Sequence, residues 1–237
     1  MSFAARLIVA IDGPAGSGKS TAAKLLAQRL DYTLLDTGAI YRTLALVARE
    51  AGTSWDDEEE LAELATGLDV GFAFVDGVNH VRLGARDVTS AIRTPEMGDG
   101  ASRVSRHPEV RRALLDLQRR LAAAGGVVAE GRDVGTVVFP HAQAKFFLSA
   151  DPEVRARRRH AELLALGHPV DFAQVLADQV ERDRRDSTRA VAPLVAASDA
   201  VRIDSSALGP DGVVAEMERL VRARSEAKPI DKEAEGV

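Results

Sequence analysis

A short apolar run, a glycine-rich segment and a helical pattern follow one another near the start of the chain. The apolar run covers residues 7–11, and the segment GPAGSGKS follows at residues 13–20. Ala22, Leu26 and Leu30 then recur on one helical stripe. An apolar strand, a glycine-rich loop and a helix in this order are typical of a parallel sheet covered by helices. This order constrains the fold more than any other feature of the sequence.

The glycine-rich loop has the composition and spacing of a triphosphate-binding loop. Glycines let the backbone turn its N–H groups toward phosphate oxygens, and the helix N-terminus adds positive potential. Lys19 can reach the terminal phosphates, and the Ser20 hydroxyl is placed to ligate Mg²⁺. We therefore predict that a nucleoside triphosphate contacts Gly13, Pro14, Ala15, Gly16, Ser17, Gly18, Lys19, Ser20 and Thr21.

Composition limits the classes of protein that remain. The 237 residues are 46% hydrophobic, which is enough for one sizeable core. The sequence contains no cysteine, which excludes disulfides, cysteine-ligated zinc and thiol nucleophiles. Residues 1–6 are too short and polar for a secretory signal, and no apolar run could span a membrane, so we expect a cytoplasmic protein. The net charge of −5 does not favour general binding to nucleic acid.

Apolar runs and helical patterns alternate along the rest of the chain. Val110, Leu114 and Leu117 recur at helical spacing, and Asp151-Pro152 is a typical helix start. With the first run, four further predicted strands give a five-stranded parallel sheet with helices on both faces. These strands are residues 33–35, 127–129, 146–148 and 201–203.

One stretch departs from this alternation. In residues 68–88, Val70, Phe72 and Phe74 recur at every second position before Asp76-Gly77, and Val81 and Leu83 do so after it, which predicts an antiparallel hairpin. We predict an inserted lobe at residues 66–98 within a core formed by residues 1–65 and 99–225. The polar tail, residues 226–237, is expected to be disordered.

Two arginines are predicted to lie at the same sheet edge as the loop. Arg42 lies about one helical turn beyond the second strand, and Arg132 follows the third. Ligands of parallel sheets bind beyond the carboxyl ends of the strands. Two guanidinium groups there suit the oxygens of a dianionic phosphate monoester. The alternative is that each arginine only pairs with a nearby carboxylate, Asp36 or Asp133.

Residues 152–192 contain two groups of arginines. Arginines over the reacting phosphates would supply positive charge and exclude water, so we interpret the segment as a mobile lid with Arg158 and Arg189 near the transferred group. A solvated charged surface is an alternative. RNA binding is disfavoured by interleaved acids and an aromatic content of 4%. The groups are Arg155, Arg157, Arg158 and Arg159, and Arg182, Arg184, Arg185 and Arg189.

Four motifs together resemble the bacterial cytidylate kinase family over nearly the whole chain. They are IDGPAGSGKST, LDTGAIYR, EGRDVGTVVFP and RDRRDSTRAVAPL. The resemblance implies a P-loop NTPase fold with a nucleoside-monophosphate-binding insert at residues 66–98 and a helical lid at about 152–192. It also implies transfer of the ATP γ-phosphoryl group to CMP or dCMP, with Mg²⁺, in pyrimidine nucleotide metabolism.

The resemblance also implies residue roles. Thr37 stands where many members of the family have serine, and it keeps the hydroxyl group. The catalytic residues would be Lys19, Arg132, Arg158, Arg182 and Arg189, with Arg158 also contacting ATP. The CMP-binding residues would be Asp36, Thr37, Arg42, Ser102, Arg111, Arg132, Asp133, Arg182, Asp186 and Arg189.

Two other functions stay open at this point. A kinase of the same fold class could act on another monophosphate, or on a hydroxyl group with Asp36 as the base. A nucleotide-dependent switch is a different class, but the Asn-Lys-x-Asp motif of guanine-binding proteins is absent because the only asparagine, Asn79, precedes His80. We expect the partners to be ATP, CMP and dCMP, without nucleic acid or membrane, and the protein to be a monomer.

Overall fold

The computed structural model describes residues 6–75 and 77–226. In chain order, the elements are β1 (Ile8–Asp12), α1 (Lys19–Leu30), β2 (Thr33–Asp36), α2 (Thr37–Ala51), α3 (Glu58–Thr66), β3 (Val70–Val75), β4 (Val78–Leu83), β5 (Arg86–Asp87), α4 (Pro95–Val104), α5 (Pro108–Leu121), β6 (Val127–Gly131), β7 (Ala144–Ser149), α6 (Pro152–Ala165), α7 (Phe172–Thr188), β8 (Val201–Asp204) and α8 (Pro210–Glu226). A 3₁₀ turn (Ala91–Arg93) precedes α4, and a π-helical turn (Val134–Val138) follows β6.

The main sheet has five strands in the order β2-β6-β1-β7-β8. All of its pairings are parallel. The five predicted strands are therefore confirmed, each within two residues at either end. Because β1 is the central strand, the loop that follows it leaves the middle of the sheet at the carboxyl edge.

Side chains of β1 alternate between two hydrophobic clusters on opposite faces of the sheet. Val9 and Ile11 pack with α1 and α8, whereas Ala10 faces the cluster formed largely by α2, α3, α4 and α5. This alternation follows from the two-residue period of a strand. Burial on both faces explains why the strand reads as a continuous apolar run. The prediction of helices on both faces is thus confirmed.

The second sheet is antiparallel, with the order β3-β4-β5. The predicted hairpin is confirmed, and the short strand β5 is an addition that the sequence pattern did not indicate. Val75 pairs with Val78, so two residues connect the strands. Of the predicted Asp76-Gly77 turn, Asp76 lies outside the described residues, as do residues 227–237 of the predicted tail.

The helix starts follow from local sequence. Asp151 precedes α6 and accepts hydrogen bonds from the N–H groups of Glu153 and Val154, as its position before Pro152 predicted. Asp36 caps α2 by accepting the Ala39 N–H at 2.9 Å. Within the described residues, the helices include none that is both long and apolar enough to cross a membrane.

The only tryptophan of the sequence fixes α4 against α2. Trp55 donates its indole N–H to the Ala45 carbonyl at 3.0 Å. A Cβ atom at Gly100 would lie 2.7 Å from the Trp55 ring and 2.9 Å from the Ala45 side chain. Glycine therefore permits a close approach that no larger residue allows without a shift of the helix.

We expect Gly100→Ala to lower the free energy of unfolding by about 1–3 kcal/mol, because the added methyl group overlaps two neighbours. Gly98→Ala is the matched control on the same helix, since a Cβ there meets no described atom within 4 Å. It should be neutral or stabilise by up to about 1 kcal/mol through helix propensity. Urea denaturation followed by Trp55 fluorescence measures both. Equal stability of the two variants would contradict the packing argument.

Candidate functional site

The phosphate loop, residues 13–18, connects β1 to α1 at the carboxyl edge of the sheet. Gly13 has a φ of +150°, and a Cβ atom there would overlap the Leu148 carbonyl oxygen of β7. The loop thus follows the neighbouring strand too closely for a side chain at its first position. This close approach explains, on steric grounds, why the first residue of the motif is glycine.

The start of α1 leaves backbone donors at the loop. Gly18 is the N-cap, and no described side chain caps the helix there. The first N–H groups of a helix lack intrahelical partners and favour anions. Lys19 is buried beside them and donates to the Pro14 carbonyl at 2.8 Å. Burial and then the charge of Arg132 lower the pKa of Lys19 to about 7. These groups together can hold a polyphosphate.

A carboxylate lies next to the first turn of α1. Glu130 at the end of β6 lies close enough to the Ser20 hydroxyl for it to influence the Glu130 pKa. Burial, followed by the charge of Asp36, raises the pKa of Glu130. Such oxygen donors suit Mg²⁺, which binds proteins through one or two side chains together with substrate phosphates. Among residues 6–75 and 77–226, no three Asp, Glu, His or Cys side chains are close enough to hold a metal ion.

Asp12 ties the phosphate loop's strand to the turn after β6. Its carboxylate accepts the N–H groups of Val134 and Gly135, each at 2.7 Å. Arg132 and Asp133 directly precede that turn, so Asp12 helps to fix their position relative to the loop. Burial raises the pKa of Asp12 from 3.8 to about 6. No sequence motif predicted a role for Asp12. The signal that could have identified Asp12 is its position as an acid at the carboxyl end of a buried strand.

The structure brings three predicted arginines together, here called the arginine cluster: Arg42, Arg132 and Arg182. Arg42 pairs with Asp36 at 2.7 Å, and Arg132 pairs with Asp186 at 2.9 Å. Burial, followed by the charge of Arg132, lowers the pKa of Arg182 to about 10, and Arg42 adds to this effect. The Nε atoms of Arg42 and Arg182 are buried without a hydrogen-bond partner among the described residues. Positive charge therefore exceeds what the neighbouring carboxylates offset.

Of the two ion pairs in the alternative interpretation of these arginines, the structure contains one. Arg42 does pair with Asp36, but Arg132 pairs with Asp186 of α7 rather than with its neighbour Asp133. Because Asp186 lies 54 residues further along the chain, the sequence alone could not indicate this pairing.

Four further predicted residues form a second group near the arginine cluster. Asp133 pairs with Arg111 of α5 and with Arg189, the latter at 3.3 Å. The Arg111 guanidinium lies 5.5 Å from the centre of the Tyr41 ring. The buried Ser102 hydroxyl has no partner within the described part of the chain. This group offers both donors and acceptors to a polar planar ligand.

Two predicted residues have other contacts. Thr37 donates its hydroxyl proton to the Glu130 carbonyl at 2.8 Å. Arg158 donates to the side chain and carbonyl of Ser205, at 3.0 and 2.7 Å, and the Ser205 hydroxyl donates to the Ser17 carbonyl. Arg158 thus supports the phosphate loop from outside the arginine cluster. Ser205 was missed, and no motif would have identified it.

The fold and the site define a class of protein. A phosphate loop after the central strand of a parallel sheet, facing partly buried arginines across one edge, defines a P-loop protein that binds nucleotides. The chain belongs to the cytidylate kinase family, whose family model matches residues 9–223. This confirms the family resemblance of the four sequence motifs. Membership makes the chain a nucleotide-binding transferase of the kinase type.

Curated relatives are similar over nearly the whole length. The cytidylate kinase of Geobacter sp. (strain M21) is 51% identical, covering 92% of this chain and 94% of that protein. The cytidylate kinase of Geobacter sulfurreducens is 50% identical, covering 97% and 99%. A solved structure of an uncharacterized protein from Eubacterium ventriosum, 13% identical with a TM-score of 0.51, covers 92% of this chain and 99% of that chain and shares the fold alone.

Asp12→Asn tests the contact between β1 and the turn after β6. Between pH values of about 4 and 6 the folded protein carries more protons on Asp12 than the unfolded chain does, because the folded pKa is raised. Wild-type stability should therefore fall by up to about 3 kcal/mol through this group as pH rises from about 4 to about 7. Asp12→Asn should lack this part of the pH dependence.

Urea denaturation of both proteins across this range measures the difference, with the exposed Asp178→Asn as the control. The charges of Asp133 and Lys19 also influence the pKa of Asp12, and both residues are retained in all three proteins. A difference between wild type and Asp12→Asn that does not change with pH would contradict the raised pKa.

Proposed function

We propose that this chain is a cytidylate kinase that transfers the γ-phosphoryl group of ATP to CMP or dCMP, giving ADP and CDP or dCDP. The observation that carries the proposal is the partly buried arginine cluster, in which the Nε atoms of Arg42 and Arg182 have no partner among the described residues and which lies near Lys19 of the phosphate loop. The curated relatives at about 50% identity that bear this name support the choice of substrate.

On the donor side, the phosphate loop would hold the ATP phosphates. Backbone N–H groups and the start of α1 would bind their oxygens, and Lys19 would move its ammonium group from the Pro14 carbonyl to the terminal phosphates. Since its pKa is about 7 without an anion, a bound polyphosphate would keep Lys19 protonated. Ser20 would ligate Mg²⁺, and the ion, when bound with ATP, would neutralise developing phosphate charge.

On the acceptor side, the arginine cluster would hold the monophosphate. A dianionic phosphate would give acceptors to the unpartnered Nε atoms of Arg42 and Arg182. It would also relieve the repulsion that lowers the pKa of Arg182. Lys19 senses the charges of both Arg132 and Arg182, so the acceptor would lie within reach of the transferred group.

The group around Asp133 would select the base. Cytosine presents an N4 amino donor where uracil presents an acceptor. The Ser102 hydroxyl and the Asp133 carboxylate can both accept from that amino group, whereas uracil would leave an acceptor unsatisfied at a cost of about 1–3 kcal/mol. Arg111 would contact the ring's other polar edge, and Asp186 the sugar hydroxyls.

The proposed reaction needs no general base. The attacking atom is a phosphate oxygen that is already ionised at neutral pH, so catalysis would consist of positioning and electrostatic stabilisation. A hydroxyl acceptor would need a free base, and Asp36 has both oxygens engaged, by Ala39 and Arg42. This arrangement favours a phosphate acceptor over a hydroxyl acceptor.

The helical segment at about residues 152–192 would act as a mobile lid that closes over the bound substrates, and the insert at residues 66–98 would cover the monophosphate. Closure would bring Arg189, and Arg158 from beside the phosphate loop, near the transferred group and exclude water from it. We propose a cytoplasmic monomer that acts in pyrimidine nucleotide metabolism, since its substrates are intracellular nucleotides. None of the proposed interactions requires a second chain.

A coupled assay with CMP, dCMP, UMP and AMP tests the substrate assignment. We expect turnover with CMP or dCMP to exceed that with UMP and AMP by at least about five-fold, as one unsatisfied buried acceptor implies. Lys19→Ala, which removes the cation at the phosphates, serves as the nearly inactive control. Preference for UMP or AMP would contradict the assignment, and ATP binding without any CDP formation would favour the nucleotide-switch alternative.

Arg132→Ala should chiefly weaken acceptor binding. We expect the KM for CMP to rise about 10- to 100-fold, because a charge-assisted contact with the phosphate is lost. The KM for ATP should change by less than about three-fold. Arg112→Ala is the control, since Arg112 is an exposed arginine paired only with Glu109 within the described chain. An unchanged KM for CMP in folded Arg132→Ala would argue against its place at the phosphate.

A further inference from the structure

Arg155, in the first turn of α6, is a buried cation that the proposed reaction does not use. Its Nε donates to the Ala150 carbonyl at 2.9 Å, and one terminal nitrogen donates to the Ala15 carbonyl at 3.0 Å. The same nitrogen donates to the Asp183 carboxylate at 2.6 Å. Its side chain is only 6% exposed. Arg155 therefore joins the end of β7, the phosphate loop and α7.

The contact with the phosphate loop concerns the peptide unit between Ala15 and Gly16. In a trans peptide, the C=O and the N–H point in opposite directions. Because Arg155 holds the Ala15 carbonyl on the α6 side, the Gly16 N–H faces the other way, toward the interior of the loop. Gly16 has a φ of +73°, and a Cβ there would lie 2.9 Å from the Arg155 carbonyl oxygen. The loop is thus packed directly on α6 at this peptide.

A peptide next to glycine can flip easily, because glycine tolerates both signs of φ. A flip here would turn the Ala15 carbonyl inward, where it would repel phosphate oxygens. The bond from Arg155 opposes that flip. One amide donor of the phosphate loop is therefore oriented by a side chain outside the loop.

Asp183 links this support to α7. It lies one helical turn before Asp186, so the two carboxylates share one face of α7. Asp183 binds Arg155 beside the phosphate loop, and Asp186 binds Arg132 of the arginine cluster. Asp183 also contributes to the electrostatic environment of Arg132. One face of α7 thus contacts both Arg155, which supports the phosphate loop, and Arg132 of the arginine cluster.

We infer that Arg155 and Asp183 are positioning residues for the donor nucleotide: Arg155 keeps the Gly16 N–H directed into the phosphate loop, and Asp183 makes this support depend on the position of α7. The inference rests on the proposed function for the identity of the donor as ATP. It assigns neither residue a contact with the reacting atoms.

Asp183→Asn and Arg155→Lys test the inference in the full-length protein. Asp183→Asn removes the charge that holds the guanidinium, and Arg155→Lys keeps the charge but loses the fork that reaches three partners. We expect the Kd for ATP with Mg²⁺, measured by calorimetric titration, to rise about ten-fold in each variant. The Kd for CMP should stay within about two-fold of wild type. In steady state, the KM for ATP should rise while kcat at saturating ATP is largely kept.

Asp178→Asn is the matched control, because Asp178 lies on α7 and only accepts from the Gln174 side chain at 2.7 Å within the described chain. It should leave both Kd values unchanged. An unchanged Kd for ATP in either folded variant overturns the inference, as does an equal loss of ATP and CMP affinity. Thermal denaturation identifies which variants are folded. If Asp183→Asn does not fold, the Kd for ATP of Arg155→Lys alone tests the inference.

The titration needs no turnover, so its result is separable from the proposed function. If wild type binds ATP but forms no CDP from CMP, the proposed function fails. The comparison of ATP affinities would still decide whether Arg155 and Asp183 support the phosphate loop.

Discussion

Positive charge that is largely withdrawn from solvent at one edge of the parallel sheet is the constraint on which the rest of the site depends. Lys19 and the arginine cluster lie there together, and burying cations costs free energy unless carboxylates or a bound anion offset it. Asp36 and Asp186 offset part of that cost through ion pairs at 2.7 and 2.9 Å. The lowered pKa values of Lys19 and Arg182 record the part that remains. A fully paired cluster would have little affinity left for phosphate.

Carboxylates arrange this charge without taking part in the proposed chemistry. Asp12 fixes the turn after β6 to the strand that leads into the phosphate loop. Asp183 attaches α7 to Arg155 beside the phosphate loop, and Asp186 attaches it to Arg132 of the arginine cluster. The three acids come from two elements, and each contacts a group far away in the chain. The position of the phosphate loop relative to the arginine cluster is therefore set by a few long-range contacts between rigid elements.

Local patterns in the sequence were sufficient to predict most of the fold. Apolar runs marked β1, β6 and β7 because these strands are buried on both faces, whereas the edge strand β8 has only Ile203 buried. Asp151 marked a helix start because its side chain caps the first turn. The site was predictable as a set of residues, since strand ends of a parallel sheet meet at one edge. Its pairings were not: Arg132 binds Asp186 rather than the adjacent Asp133, and Arg155 was one member of an arginine run with nothing to distinguish it. Such choices depend on distances between elements, which periodicity does not encode.

The start of α1 couples nucleotide binding to the integrity of the sheet's central layer. With glycine at the N-cap and no described side chain satisfying the first N–H groups, this helix terminus is incomplete on its own. A polyphosphate that binds only the native chain would complete it, adding about 2.7 kcal/mol of stability at a concentration 100 times its Kd. Because α1 packs against β1 and α8, that gain would reach the hydrophobic cluster behind the loop. Occupancy by nucleotide would then govern how often the chain unfolds, and with it the rate at which proteases remove it.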